Sequence, residues 1–345
     1  MSTSTQSQRS SLPAFNLTNV AGGAILAGGA IWVLWNLIAS PTQMLQVTIA
    51  GILTGGLYAL VALGYTMVYG IIELINFAHG DVFMLAGVFC AWFLTDTLGF
   101  THLTPASRAA VILTLVVVAV VTAVLNVTIE FLAYRKLRNA PKLTPLITAV
   151  GVSFILQNLG LHWNGSAPKS QPALLADGNL TIGSLSFAWA QIIVFALTIP
   201  LLVLLSYIVT KTRQGKAMRA TAQDPDASRL MGIDVNRTIS FTFAIAGALA
   251  GAGGLFYVET VGVTRYDAGF QFGLIAFTAA VLGGVGNLTG AVVGGILIGV
   301  IQGWNDGAPH GLGQKWSQSV VFTILILLMV FKPSGLFGTA TTEKV

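Results

Sequence analysis

Charge is scarce in this 345-residue chain, at 8% of residues, while 54% are hydrophobic and the mean hydropathy is +0.80. A soluble domain carries about 25% charged residues, so the composition excludes a soluble protein with a mere anchor. There is one cysteine, Cys90, inside the apolar run VFMLAGVFCAWFL. That excludes an intrachain disulfide or a cysteine-based metal site, and Cys90 reads as a small buried hydrophobe. No histidine pair has the i, i+4 spacing of a helical metal site, so neither metal nor cofactor is expected. No G-x-x-x-x-G-K-[ST] loop is present to bind a nucleotide, and no nucleophile–base constellation points to an enzyme. Lys and Arg are spread over loops without interleaved aromatics, so the net charge of +5 is no sign of nucleic acid.

What the chain does have is long apolar runs and 39 glycines. Small residues let helices approach closely in lipid. About 20 apolar residues are needed to cross the hydrocarbon, and runs at 20–39, 47–72, 82–98, 109–134, 143–163, 187–209, 239–258 and 317–331 qualify. The first 19 residues are rich in Ser, Thr and Gln, with only Arg9 charged, and the run from Val20 reads as a retained helix. Between 258 and 317, Gly283-Gly-Val-Gly-Asn287 splits two short apolar runs. They are either two short full spans or a re-entrant pair, since non-helical backbone at membrane depth needs protein around it. The expectation is an all-α polytopic membrane protein of eight to ten spans. No sequence repeat is evident, which leaves an inverted structural repeat open.

Cytoplasmic loops of membrane proteins carry excess Lys and Arg. With the N-terminus inside, the inner segments hold Arg9; Arg135, Lys136, Arg138 and Lys142; six cations in 211–238; Lys332 and Lys344. Only Arg108, Lys169, Arg265 and Lys315 fall outside, with His102, His162 and His310. Both termini are therefore expected in the cytoplasm. The polar loop 164–186 is long enough to cover a bundle but too short to be a domain.

Several polar groups stand beside the runs. In the run YTMVYGIIELINFAHGD, which opens at Tyr65, Glu73, Asn76, His79 and Asp81 are expected to cluster at the cytoplasmic end of two spans. They either hydrogen-bond a tight interhelical turn or serve transport. Glu130 is expected to pair with a cation of the next turn, and Asn126, one turn deeper, is a candidate for the translocation path. Arg265-Tyr-Asp267 is an exposed ion pair or a contact for a polar solute or binding protein. The pairs Gly247/Gly251, Gly290/Gly294 and Gly295/Gly299 suit either close packing within the bundle or a dimer or pore face. No span centre contains Asp, Glu, Lys or Arg, which speaks against an ion-coupled secondary transporter or a channel.

The most informative segment is 211–238, KTRQGKAMRATAQDPDASRLMGIDVNRT, whose charges exclude it from lipid. Asp224-Pro225-Asp226 is a helix-start signal. It predicts a short helix over Ala227–Met231, stopped at Gly232. Asp226-Ala227-Ser228-Arg-Leu-Met-Gly232 resembles the Glu-Ala-Ala-x-x-x-Gly loop of ATP-binding-cassette importer permeases, with Asp and Ser in place of Glu and Ala. GLYALVALGYTMVYGI, ELINFAHGD, AFTAAVLGGVGNLTGAVVGGILIG and FKPSGLFG are similar to LivH-type branched-chain amino acid permeases. The resemblance covers about 46–338 as the transmembrane domain, leaving 1–45 as a tail with an added span and 339–345 as a second tail.

The resemblance implies an inner-membrane permease subunit carrying branched-chain or other neutral amino acids. A urea or short-chain amide importer is the alternative within the family. It implies two ATPase subunits, a second permease subunit and an extracytoplasmic solute-binding protein as partners. It also implies ATPase docking through Arg219, Asp224, Asp226, Ala227, Arg229 and Gly232. A path or gate is expected near Tyr65, Asn76, His79, Asn126, Gly284 and Asn287.

Overall fold

The computed structural model describes residues 17–73, 76–138, 140–141 and 143–338. Arg9, Lys142, Lys344, both chain ends and the 339–345 tail lie outside them. Twelve α-helices carry the fold among the described residues. Nine helical segments have the length and apolarity to cross a membrane. α1 (Leu17–Ala39) and α2 (Pro41–Ile72) are separated by Ser40 alone, with Pro41 opening α2, where a missing N–H does no harm. α3 (Ala78–Ala91) runs on as a π-helix, Trp92–Thr97. α4 (Pro105–Ile129) ends in a π-turn, Glu130–Tyr134, and a 3₁₀ turn, Arg135–Leu137. α5 (Leu143–Asn164), α6 (Trp189–Lys211), α7 (Arg213–Gln223), α8 (Pro225–Leu230) and α9 (Val235–Val261) follow. α10 (Ala268–Gly283), α11 (Leu288–Gly307) and α12 (Ser317–Phe331) close the bundle.

The segment bearing α7 and α8 defines one face, here the charged face. The far face carries four short strands. β1 (Lys169–Ser170) pairs antiparallel with β4 (Val263–Thr264), and β2 (Asn179–Ile182) forms a hairpin with β3 (Leu185–Ala188). Buried Glu259, near the end of α9, accepts hydrogen bonds from Gln171 Nε2 at 2.5 Å and from the Leu175 amide at 3.0 Å. The 164–186 loop is thereby a fastened cover, not a loose tether.

The helices are arranged as an inverted repeat. α2, α3 and α4 run toward the charged face, back, and toward it again; α9, α10 and α11 run in the opposite sense. α2 packs along α11 as α9 packs along α4, and α3 packs on α9 as α10 packs on α2. Glycine permits the two long contacts. A Cβ on Gly55 would lie 2.7 Å from the Ile296 Cα, and one on Gly51 2.7 Å from the Val300 Cα. On the other side, a Cβ on Gly247 would lie 2.7 Å from the Asn126 Cβ. Gly290 and Gly294 face the end of α10 in the same way. All three glycine pairs therefore serve packing inside the bundle.

α10 is the short member of its pair: 16 residues span roughly 24 Å at 1.5 Å per residue, less than the hydrocarbon. It begins inside the bundle and reaches the charged face, and α11 returns as a full span. The 258–317 stretch is thus one short helix that begins inside the bundle, followed by one full-length span. The turn between them holds Gly284 at φ 105°.

α1 lies outside this core, mostly exposed, against α2 and α12. It is pinned at the far face. Trp32 Nε1 donates to the His310 carbonyl at 3.1 Å, and the His310 N–H donates to Asn36 Oδ1 at 2.8 Å.

Candidate functional site

The charged-face segment is two helices, not one. Thr212 Oγ1 accepts from the Gly215 N–H at 3.0 Å and starts α7. Gly215 sits so close under the end of α6 that a side chain would meet the Ile208 and Val209 carbonyls. Arg219 donates to the Val209 carbonyl, so its guanidinium helps close α6. Asp224 Oδ1 accepts from the Asp226 and Ala227 N–H groups, both at 2.9 Å, and caps α8. α8 begins two residues earlier and ends one residue earlier than the predicted helix. Its stop is as expected: Gly232 has φ 80°, and the Ile233 N–H bonds back to the Ser228 carbonyl at 3.0 Å. Arg229 pairs with exposed Asp226 at 2.6 Å. Leu230 and Met231 are 89% and 82% exposed at the tip of α8.

A polar hub ties α4 to the start of α9. Glu130 is fully buried, yet its carboxylate accepts from Arg135 Nη2 at 2.9 Å, from Ser240 Oγ at 2.7 Å and from Arg138. The expected pairing forms, but five residues on. The π-turn supplies the reason, since i→i+5 bonding brings Arg135 over Glu130. Arg138 also donates to Asn236 Oδ1 at 2.7 Å.

The same π-turn reaches the bundle interior, where Tyr134 donates to Asn76 Oδ1 at 2.7 Å. Here the structure corrects the expected depth of the polar cluster. Asp81 accepts from Ser153 Oγ at 2.5 Å, and Ser153 is the eleventh of the 22 residues of α5. His79 packs edge-on against Tyr65, with ring centroids 4.8 Å apart, and against Gly64. α2 ends at Ile72, capped by Glu73 in a left-handed conformation of φ 52°, and α3 begins at Ala78, level with the middle of α5. Hydropathy does not register this depth. So a span centre does hold a carboxylate, Asp81, which also accepts from Gln157 at 3.1 Å. α10 starts at the same depth: a Cβ on Gly80 would lie 2.7 Å from the Gly273 Cα. Two helix starts thus meet inside the bundle, where the surrounding protein can accommodate non-helical backbone. Asn76 Nδ2 has no hydrogen-bond partner among the described residues.

The other expected path residues separate. Asn126 is buried and donates to the Phe243 carbonyl at 2.7 Å, joining α4 to α9. Asn287 caps α11 through the Gly290 N–H at 3.0 Å and lines a cavity of about 680 Å³ on the charged face. Tyr65 and Asn76 line only a cavity of about 10 Å³. Gly284 lies against the backbone of Gly338. A second large cavity, about 520 Å³, opens on the far side of α2 and includes Tyr58, Gln302, Asp306 and Lys315. Sequence reading did not single these four out as a site: Gln302, Asp306 and Lys315 are near in sequence, but only the fold sets them beside Tyr58 of α2. It also missed Leu230 and Met231, although two large apolar residues inside a charged island are a readable signal. Arg265 and Asp267 form the exposed ion pair, and the guanidinium holds the Asp267 carboxyl below its usual range. No group of three His, Cys, Asp or Glu able to hold a metal occurs among the described residues.

Comparison with known proteins supplies the family. The family described as branched-chain amino acid transport system / permease component matches residues 47–330. The high-affinity branched-chain amino acid transport system permease protein BraD of Pseudomonas aeruginosa is 38% identical over 308 residues, covering 87% of this chain and 98% of the relative. The LivH permease of Salmonella typhimurium is 35% identical over 306 residues, covering 87% and 97%. A probable LivH of Methanocaldococcus jannaschii is 30% identical over 301 residues, covering 83% and 90%. With its helical bundle and this match across nearly the whole core, the chain belongs to the branched-chain amino acid transport permease family.

Proposed function

We propose that this chain is the membrane-spanning subunit of an ATP-driven importer of branched-chain or other neutral amino acids, with its charged face in the cytoplasm. The observation that carries the reading is the tip of α8. A capped helix stands clear of the bundle and presents Leu230 and Met231 to solvent among charged neighbours. Exposed apolar groups on a rigid projection suit a protein partner. ATP hydrolysis then belongs to separate subunits, two of which dock on α8 of this chain and of a second permease subunit. A solute-binding protein delivers substrate at the far face, under the 164–186 cover. The Lys and Arg distribution supports the orientation and an inner-membrane location: among the described residues only Arg108, Lys169, Arg265 and Lys315 are on the far side. Glu130, bonded to both the α4 end and the α9 start, carries α8 displacement to the Asn76 region through Tyr134. The test is co-purification of the ATPase subunits with the permease and uptake of radiolabelled L-leucine. Loss of both in a Leu230→Asp, Met231→Asp variant that still inserts is expected. Normal uptake by that variant overturns the docking assignment.

A further inference from the structure

The far-side cavity of about 520 Å³ has a size suited to a small ligand. Its wall divides by chemistry. At one side Asp306, in the last turn of α11, is held by Asn305 Nδ2 at 2.8 Å and by the Ser317 hydroxyl, both on Oδ1. Its Oδ2 has no partner among the described residues. Lys315 lines the same cavity and makes no ion pair or hydrogen bond within the described residues. Buried Tyr58 donates to Gln302 Oε1 at 2.7 Å, which turns the Gln302 amide and leaves its N–H₂ group to donate. Leu53, Leu57, Phe272 and Ile275 supply an apolar wall.

A fixed carboxylate, an unpaired ammonium, an oriented amide donor and an aliphatic surface are the complement of one ligand class. A simple cation would meet Lys315, a simple anion Asp306, and an apolar solute would leave both charges unmatched. We propose that this cavity binds a free amino-acid zwitterion with an aliphatic side chain. Its ammonium pairs with Asp306, its carboxylate with Lys315 and the Gln302 amide, and its side chain lies against Leu57 and Ile275. The proposal rests on the importer reading and adds to it a site within this subunit.

The test uses the full-length permease in lipid nanodiscs without partners, with L-leucine, L-leucinamide (no carboxylate) and 4-methylpentanoate (no ammonium) as probes. Asp306→Asn, which keeps an acceptor for Asn305 and Ser317, is expected to weaken leucine binding about tenfold or more and to leave 4-methylpentanoate unchanged. Lys315→Gln, at an exposed position, is expected to weaken leucine and 4-methylpentanoate but not leucinamide. Tyr58→Phe frees the Gln302 amide to turn and is expected to weaken leucine less than either. Wild-type leucine affinity in both charge variants overturns the proposal, as does a wild type without saturable leucine binding. If leucine uptake with the ATPase subunits stays normal in those variants, the cavity assignment fails and the importer reading stands. If the charge pattern holds but no ATPase associates, the importer reading fails alone.

Discussion

The α2–α11 contact and the α8 tip are opposites. Along α2–α11 five glycines, at 51, 55, 295, 299 and 303, meet backbone to backbone, and there is no room for a methyl group. At α8 there is room on every side: nothing lies within 4 Å of a Cβ placed on Gly232, whose glycine is needed for φ alone. Glycine content thus conceals two kinds of requirement. In the interior it is a demand for space, with stability at stake. On the charged face it is a demand for a backbone angle, with a partner's fit at stake.

The sharpest way to break the contrast is bulk in the interior. Gly299→Leu would drive a side chain into Gly51 and Gly55, and a cost of about 3 kcal/mol or more is expected, since even modest overpacking costs ~1–3 kcal/mol. The check is thermal unfolding in detergent beside Gly151→Ala, where nothing lies within 4 Å and a slight stabilisation is expected. Equal melting by both variants would remove the space argument.

Next in size is the hub between the two regions. Glu130→Gln removes the charge facing Arg135 and Arg138 at a fully buried position, and breaking a buried pair costs about 3–5 kcal/mol. The upper part of that range is not expected, because Arg135 is 31% exposed and keeps some water. Unfolding of Glu130→Gln, Arg138→Gln and the double variant would show whether the pair is coupled. Additive losses would mean that it is not.

Smaller again is Asp224→Ala. The loss of an N-cap costs about 1 kcal/mol, confined to a six-residue helix. Hydrogen exchange at the Asp226 and Ala227 amides should quicken while the spans stay protected.

Much of this architecture is legible in the sequence because hydropathy and charge act over whole segments. The runs at 143–163 and 317–331 match α5 and α12 within a residue, and the Asp-Pro-Asp start and Gly232 stop define α8. What was not legible depends on depth in the bundle and on contacts between distant residues. INFAHGD contains no sign of how deep in the bundle α3 begins, so Asn76, His79 and Asp81 are placed too near the charged face by sequence alone. α7 was hidden because its burial is against the end of α6, through Gly215. The Glu130 hub needed a π-turn, which no residue spacing announces.

The smallest expected effect on folding gives the most direct test. Replacing Leu230 and Met231 with Asp, at positions 89% and 82% exposed, should change unfolding by no more than about 0.5 kcal/mol each. The measurement is substrate-stimulated ATP hydrolysis by the reconstituted transporter carrying this double variant. The docking account predicts a permease that melts like wild type and no longer stimulates hydrolysis. Wild-type stimulation from a correctly inserted double variant would contradict it.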